Sequence, residues 1–192
     1  IEGIYNNDAA TELKKIFCID GTRETKKLFP NPKPVDLIKR LIKLVIKDDD
    51  IILDSFAGSG TTGQAVLEIN QERKTNLQFI LIELDSQICR SVTSQRLKKV
   101  IEGYSCNDET KAGTGGGFDY YTLDKQLFDN DGLINKSCKF VDLASYIFFI
   151  ETRLILDKNN INNFYIGSHM NTEFYLIFDN DGPSIIDNEF IN

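Results

Sequence analysis

A glycine-rich stretch contains the residues of this sequence that could bind a cofactor. Residues 54–63 read DSFAGSGTTG and lie between a short apolar run and a segment with helical periodicity. Such a turn lets a ligand approach the backbone closely, and the next helix offers unpaired N–H groups and the positive end of its dipole. Because Gly58, Gly60 and Gly63 also form the G-x-G-x-x-G pattern, the turn alone does not decide between cofactors.

Acidic residues near this turn distinguish the candidate cofactors. Asp54 lies two residues before Phe56, at the carboxyl end of a predicted strand. Its carboxylate would repel a pyrophosphate but attract the amino group of an amino-acid moiety, such as the methionine part of S-adenosylmethionine. Glu83 ends the next predicted strand, where it could bind the ribose diol of NAD or of S-adenosylmethionine. Asp85 could replace Glu83 or simply cap the following helix, so the ribose ligand within IELD stays open.

Strands and helices alternate in the half of the chain that carries these residues. Apolar periodicity, capping residues and β-rich runs predict helices over 34–46, 61–71 and 86–103 and strands over 51–56 and 77–84. Ser86 is the expected N-cap of the last helix, and Gly103 is expected to end it. This order predicts a parallel βαβ unit and an α/β fold for residues 1–103.

The remaining residues, 104–192, predict a smaller α+β region. The glycine-rich segment 112–118 is expected to be irregular, as a linker would be. A strand is predicted over 118–123, a helix over 142–155 and two strands within 164–178. Four aromatic side chains near the helix are expected to pack in a core rather than stack on nucleic-acid bases. They are Phe140, Tyr146, Phe148 and Phe149.

Composition limits the class of protein. With 192 residues, 41% of them apolar, the chain can bury a substantial core. The sequence has neither an apolar run of about 20 residues nor the pattern of a signal peptide, so we expect a soluble cytoplasmic protein without a membrane partner. Its four cysteines are far apart and never form C-x-x-C, which predicts reduced, mostly buried thiols and neither a metal site nor a disulfide.

Charge is distributed unevenly along the chain. The formal net charge is −7, which alone argues against binding to nucleic acid. Residues 20–47 nevertheless carry eight Lys or Arg against three acidic side chains, whereas residues 104–192 carry six basic and fourteen acidic side chains. The basic segment could face phosphate or could be a solvated helix face. The acidic region is not expected to contact DNA.

These motifs together resemble a known family. DSFAGSGTTG, with IELD after it and LFPNPKPVDLIKRLIKL before it, is similar to the adenine-specific DNA methyltransferases of the permuted class, in which the cofactor motifs follow the catalytic one. The modification subunits of type III restriction-modification systems are the most similar members. The resemblance is strong over residues 10–103 and looser beyond. It implies a Rossmann-like S-adenosylmethionine-dependent fold and transfer of a methyl group to adenine N6 in DNA.

The resemblance also implies a set of cofactor-binding residues. The loop would hold the methionine part of S-adenosylmethionine, Glu83 the ribose, and the K-P element before the first predicted helix would close the pocket. The implied cofactor-binding residues are Phe29, Asn31, Lys33, Pro34, Asp54, Phe56, Ala57, Gly58, Ser59, Gly60, Thr61 and Glu83. The expected partners of the full protein are DNA and a restriction subunit, with a homodimer as a further possibility.

One motif of the family is absent. Its members transfer the methyl group at a D-P-P-Y or N-P-P-Y tetrapeptide, but none of the four prolines of this chain is adjacent to another. No catalytic residue can therefore be named, and we expect a C-terminal part of a longer enzyme whose N-terminal part supplies catalysis and target recognition. Two other hypotheses stay open: an NAD-binding oxidoreductase fragment, and a non-catalytic specificity or assembly module.

Overall fold

The computed structural model describes residues 6–178, apart from the side chains of residues 6, 7 and 22. These residues form two compact units that divide between Tyr120 and Tyr121. In chain order, the elements of the first unit are α1 (Asn6–Phe17), α2 (Thr22–Leu28), α3 (Val35–Val45), β1 (Ile51–Asp54), α4 (Thr61–Arg73), β2 (Gln78–Leu81), α5 (Ser86–Ile88), a π-helical segment (Cys89–Thr93), α6 (Ser94–Glu102), β3 (Gly103–Cys106) and β4 (Glu109–Ala112).

The predicted parallel pair of strands is confirmed. β1 and β2 pair in parallel, with Ile51 opposite Gln78 and Asp54 opposite Leu81, and α4 connects them. Both strands are shorter than predicted because the chain turns into loops at their carboxyl ends. Helix α3 also lies within its predicted range. These elements give the first unit its α/β character.

Helices cover one face of this two-stranded sheet. Val35 and Ile42 of α3 and Val66 and Ile69 of α4 form a core cluster against which Ile52 and Phe79 pack. A second cluster joins Ile16, Leu67, Leu97 and Val100 to the end of β2. The alternation of side chains along a strand accounts for this one-sided packing, since every second residue of β1 and β2 faces the helices.

The opposite face of the sheet is apolar and exposed. Ile51 and Leu53 of β1 are 59% and 63% exposed, and Ile80 and Ile82 are 51% and 52% exposed. Among the described residues, β1 pairs only with β2, so its other edge is open. Parallel sheets normally carry helices on both faces. Among the described residues, the β1–β2 sheet differs from that pattern because this face is exposed.

The segment after β2 departs from its prediction in two ways. The predicted single helix over 86–103 is interrupted by the π-helical segment, and its N-cap is Asp85 rather than Ser86. The Asp85 carboxylate accepts hydrogen bonds from the backbone N–H groups of Gln87 and Ile88, at 2.8 and 3.2 Å. Gly103 ends α6 with φ of +91°, as expected.

The region after α6 was only partly predicted. The antiparallel hairpin of β3 and β4 was missed, and it packs against α1 and α6 through β3. This packing extends the first unit beyond residue 103. The backbone N–H groups of Thr114 and Gly115 donate to carbonyl groups at the end of α6, so the start of the glycine-rich segment is fixed there. The strand predicted over 118–123 is wrong, since those residues pair with no neighbouring strand.

The prediction for the cysteines is also wrong for two of the four. Cys18 and Cys106 form a disulfide with a Cα–Cα distance of 5.0 Å, which joins the end of α1 to the end of β3. Eighty-eight residues separate them in sequence, so spacing gave no signal of the pairing. Cys89 and Cys138 are outside the disulfide, and of these two only Cys138 is buried.

The second unit has a core of its own. Its elements are α7 (Phe140–Thr152), a short 3-10 turn (Lys158–Asn160), β5 (Tyr165–His169) and β6 (Thr172–Tyr175), and the two strands form an antiparallel hairpin. Ala144 and Phe148 pack with Leu156 and Ile166. This confirms core packing for Phe148, whereas Tyr146 and Phe149 on the same helix are 41% and 46% exposed.

No helix within residues 6–178 combines the length and the apolar character needed to cross a membrane.

Candidate functional site

The loop between β1 and α4 is held in shape by its own backbone and by Asp54. One Asp54 oxygen accepts from the N–H group of Phe56 at 3.0 Å, and the other accepts from the hydroxyl of Thr62 at 2.5 Å. The N–H group of Gly60 donates to Ala57 at 2.8 Å. Both Asp54 oxygens therefore brace the loop, and each retains a second lone pair for a ligand.

Two glycines of the loop adopt backbone conformations that disfavour other residues. Gly58 has φ of +51° and Gly60 has φ of +79°, both in the left-handed region. Gly60 is also the N-cap of α4, whose first turn leaves N–H groups without partners inside the helix. Neither glycine has room beside it, since an added Cβ would lie 2.9 Å from the Phe29 ring at Gly58 and 3.2 Å from the Thr93 methyl group at Gly60.

Glu83 reaches the loop from the end of β2. One of its carboxylate oxygens accepts from the N–H group of Gly58 at 2.8 Å, and the other accepts from the N–H group of Asp85 at 3.0 Å. Asp85 itself caps the next helix. Of the two acids in IELD, Glu83 is thus the one joined to the glycine loop, and each of its oxygens keeps a free lone pair.

The segment before α3 meets the same loop. The ring of Phe29 lies against Gly58, and the carbonyl of Lys33 accepts from the Thr61 hydroxyl at 3.3 Å. Pro34 is buried and precedes α3 as its N-cap, while Asn31 and Lys33 are exposed. The structure therefore brings elements from all three predicted motifs together at one end of the sheet.

Within the loop, the predicted residues divide by exposure. Ala57, Ser59 and Thr61 are 6%, 3% and 5% exposed, so their side chains face the protein. Phe56 is 88% exposed. The side chains of the loop thus brace its backbone, and Phe56 presents an apolar surface to solvent.

Sequence reasoning missed the residues that hold the loop from α6. Arg96 is fully buried, and its Nη1 atom donates to the Ser59 hydroxyl and the Thr61 hydroxyl, each at 2.9 Å. Its Nε atom donates to Gln64 at 2.7 Å. Thr93, at the end of the π-helical segment, donates to the carbonyl of Gly58 at 2.6 Å. No spacing motif in the sequence marks either residue.

Electrostatics around Arg96 keep the guanidinium charged. Burial lowers the pKa of Arg96 to about 10, and the carboxylates of Glu12 and Glu68 oppose that shift. Glu12 lies 3.9 Å away and accepts from the Gln64 amide at 2.7 Å. Burial also raises the pKa of Glu12, although Arg96 acts against it. At neutral pH, Arg96 therefore holds the loop as a cation.

A cavity of about 580 Å³ lies on another side of this network. Glu12 and Lys15 of α1, Pro34 before α3, Glu68 of α4 and Tyr104 of β3 contribute to its lining. Of the predicted cofactor residues, only Pro34 lines it. The cavity is therefore distinct from the glycine loop.

Several cations of the basic segment serve the fold. Lys39 is buried and bonds to both Glu68 and Glu72, and Lys43 bonds to Glu72 at 2.9 Å. Lys27 pairs with its neighbour on α2 at 2.8 Å. The pairs of Lys39 and Lys43 join α3 to α4, whereas the pair of Lys27 lies within α2. Lys39 is buried, so it belongs neither to a phosphate-binding surface nor to a solvated helix face.

Comparison with known proteins identifies this arrangement. Residues 3–94 match the family model described as DNA methylase. This segment, which we call the methylase region, is similar to that family. It contains β1, the glycine loop, α4, β2 and Glu83, so the assembled motifs lie inside the matched segment. Methylation by members of that family requires a methyl donor.

Individual relatives of the methylase region include restriction-modification proteins. The chain is 38% identical over 92 residues to the Mod subunit of the type III restriction-modification enzyme EcoP15I of Escherichia coli, which covers 43% of this chain and 14% of that protein. It is 33% identical over 120 residues to the EcoPI Mod subunit of Escherichia phage P1, covering 56% and 18%. The type II methyltransferase M.KpnI of Klebsiella pneumoniae is 34% identical over 87 residues, covering 45% and 19%. The chain thus spans less than a fifth of the length of each.

Proposed function

We propose that this chain is the S-adenosylmethionine-binding part of a DNA methyltransferase that methylates adenine N6 within a restriction-modification system. The observation that carries the proposal is the bond from Gly58 to Glu83, which joins the glycine loop to an acid at the end of β2 inside a DNA methylase region. Ligands bind at this end of parallel sheets because strand ends and helix N-termini converge there.

The charged groups of the site suit the two ends of this cofactor. The free lone pairs of Asp54 would accept from the amino group of the methionine part, and the first turn of α4 would bind its carboxylate. The free lone pairs of Glu83 would accept from both ribose hydroxyl groups. In this arrangement, Asp54 and Glu83 bind cofactor while they also brace the loop.

Apolar side chains beside Glu83 suit the adenine ring of the cofactor. Leu84 follows Glu83 and is 99% exposed, and Phe56 in the loop is 88% exposed. A flat aromatic ligand next to the ribose would cover such surfaces and remove them from water. Sequence reasoning did not include Leu84, although its position next to the acid was a usable signal.

The exposed face of the β1–β2 sheet supports the proposal that further strands and helices belong to the parent enzyme. Four apolar side chains on that face are at least half exposed, and the outer edge of β1 is unpaired in the described residues. An open, apolar strand of this kind pairs readily with another segment. We propose that a preceding part of the enzyme covers it and completes the Rossmann-like sheet.

The same missing part would supply catalysis. Transfer to adenine requires a flipped base held against the methyl group, and this chain has no D/N-P-P-Y tetrapeptide to hold it. DNA and a nuclease subunit are the partners we propose for the full protein, because two of the relatives described above are named as Mod subunits of type III restriction-modification enzymes.

Calorimetry tests the proposed cofactor. The chain should bind S-adenosylmethionine and its demethylated product S-adenosylhomocysteine, and it should not bind NAD. Binding of NAD alone would overturn the proposal in favour of an oxidoreductase fragment. Binding of none of the three would favour a non-catalytic specificity or assembly module.

Transfer of a tritiated methyl group to DNA tests the proposal that this chain binds the cofactor and that another part of the enzyme supplies catalysis. The chain alone should give no labelled DNA, and weak, salt-sensitive DNA binding, since its net charge is −7. Addition of the N-terminal part, joined or in trans, should give label. Time-dependent labelling by the chain alone would show that its own residues carry out the transfer.

A further inference from the structure

Buried polar groups of the π-helical segment and of α6 contact the glycine loop. Arg96 donates from Nη1 to three oxygens of the loop region: the Ser59 carbonyl at 3.2 Å, the Ser59 hydroxyl at 2.9 Å and the Thr61 hydroxyl at 2.9 Å. Thr93 donates to the carbonyl of Gly58 at 2.6 Å. Together they hold three of the four residues from Gly58 to Thr61.

The burial of Arg96 needs an explanation beyond packing. A buried guanidinium is costly unless it is paired, and apolar residues of similar volume often stabilise a core better. The nearest carboxylate, on Glu12, is 3.9 Å from Nη2, and that nitrogen has no hydrogen-bond partner among the described residues. The short bonds of Arg96 go instead to the loop and to Gln64 in the first turns of α4.

The backbone around Thr93 is also unusual. It ends the π-helical segment, and such segments are rare single turns within helices that are frequent at functional sites. A Cβ added at Gly60 would lie 3.2 Å from the Thr93 methyl group, so Thr93 lies beside Gly60 as well as bonding to Gly58. A clamp of this kind counters the conformational freedom of a loop that contains two glycines.

We propose that Arg96 and Thr93 are positioning residues, which hold the Gly58–Thr61 backbone in the shape that accepts the methyl donor without touching the donor themselves. The proposal rests on the proposed function for the identity of the ligand. The clamp itself is a property of the ligand-free chain. A loop ordered in advance binds more tightly because less freedom is lost on binding.

Amide hydrogen exchange in the ligand-free chain tests the clamp. The N–H groups of Gly58 and Gly60 are bonded to Glu83 and Ala57 and report on the loop, and that of Ile82, bonded to Asp54, reports on the sheet. Thr93→Val removes the hydroxyl and Thr93→Ser keeps it. We expect faster exchange at Gly58 and Gly60 in Thr93→Val, wild-type exchange there in Thr93→Ser, and unchanged exchange at Ile82 in both.

Arg96→Met extends the test with a matched control, Lys39→Met. Each change removes a buried cation, but Lys39 joins α3 to α4 and bonds to no loop residue. We expect faster loop exchange in Arg96→Met and unchanged loop exchange in Lys39→Met. If Arg96→Met fails to fold, the two Thr93 variants decide the question.

Affinity for S-adenosylhomocysteine, measured by calorimetry on the full chain, completes the test. Thr93→Val should weaken binding about tenfold, the effect of one lost hydrogen bond of ordinary strength. Arg96→Met should weaken it at least about tenfold, because it removes several bonds to the loop, while Lys39→Met should not weaken it. Unchanged loop exchange in a folded Thr93→Val variant would overturn the clamp. If the wild-type chain binds no donor, the proposed function fails, and the exchange measurement still decides whether the clamp exists.

Discussion

The substitution Gly60→Ala tests whether cofactor affinity depends on the shape of the glycine loop as well as on the stability of the fold. Gly60 has φ of +79°, where alanine costs about 1–2 kcal/mol. The new Cβ would also lie 3.2 Å from the Thr93 methyl group and 3.3 Å from the Thr93 carbonyl oxygen, and that backbone atom has little freedom to move. Since alanine also restricts the unfolded chain by about 0.4–1 kcal/mol, we expect a net loss of about 1–3 kcal/mol in unfolding free energy.

The effect of Gly60→Ala on cofactor binding depends on which part of the structure moves to relieve the strain. The methyl group of Gly60→Ala points toward Thr93, so the loop must move away from α6 and carry the first turn of α4 with it. We expect affinity for S-adenosylhomocysteine to fall at least about tenfold, which is about 1.4 kcal/mol. Urea unfolding measures the stability, and calorimetry on the folded protein measures the affinity.

Gly63→Ala is the matched control. Its Cβ would lie 2.7 Å from one methyl group of Leu97 and 3.0 Å from one of Leu81, so it crowds the core between α4, α6 and β2. Overpacking costs about 1–3 kcal/mol, partly offset by the preference of helices for alanine. Affinity should stay at the wild-type value. Equal losses of affinity in the two variants, or none in Gly60→Ala, would refute the argument from loop shape.

Three further predictions concern the acids and the disulfide. Glu83→Ala should weaken cofactor binding by about 1.5–3 kcal/mol, measured by calorimetry, whereas Asp85→Ala should leave binding unchanged and lower the free energy of unfolding by about 0.5–2 kcal/mol as a lost helix cap, measured by urea unfolding. Equal affinities in the two variants would refute the assignment of Glu83 as the ribose ligand. Burial alone would raise the pKa of Glu68, but hydrogen bonds from neighbouring donors hold that pKa below its ordinary value. The free energy of unfolding should therefore fall as this carboxylate gains a proton at acidic pH, and less steeply in Glu68→Gln; identical urea-unfolding profiles against pH would contradict this. Reduction of the disulfide between Cys18 and Cys106 should lower the free energy of unfolding by about 2–5 kcal/mol, seen as a lower melting temperature in dithiothreitol. Cys18→Ser should have this lower melting temperature with or without dithiothreitol, and an unchanged melting temperature of the wild-type chain in dithiothreitol would exclude a stabilising disulfide.

The elements next to the glycine loop could be predicted from sequence because local patterns specify them. Apolar residues at helical spacing gave α3, and a buried-strand run followed by glycines gave β1 and the start of α4. Asp54 and Glu83 could be named because strand ends place such acids beside the loop. For these residues, the neighbouring positions in the sequence determine the local structure.

Other features depend on partners that are distant in sequence. The run over 118–123 has β-rich composition, but a strand needs a neighbouring backbone, and Phe118 packs into the core while Tyr121 is 83% exposed. In the sequence, Arg96 is one of several charged residues of a predicted helix. Its bonds to the loop form only when α6 packs against the loop. The π-helical segment and the disulfide likewise follow from tertiary contacts. The sequence thus predicted the glycine loop and the two acids beside it, but not Arg96 and Thr93, which hold the loop.

The exposed sheet face and the absence of a D/N-P-P-Y tetrapeptide from this sequence both support the proposed function, in which another part of the enzyme supplies catalysis. Four half-exposed apolar side chains on β1 and β2 would each gain roughly 1 kcal/mol from being covered, so a neighbouring segment could gain several kcal/mol by packing there. If that segment also supplies a strand at the open edge of β1, it would lie next to Asp54 and the glycine loop, which follow from the carboxyl end of β1. Residues that hold the target adenine must lie next to the methyl donor, because reacting atoms need to approach to about 3–3.5 Å. A segment that completes the sheet at β1 would therefore also be placed to supply the missing acceptor site.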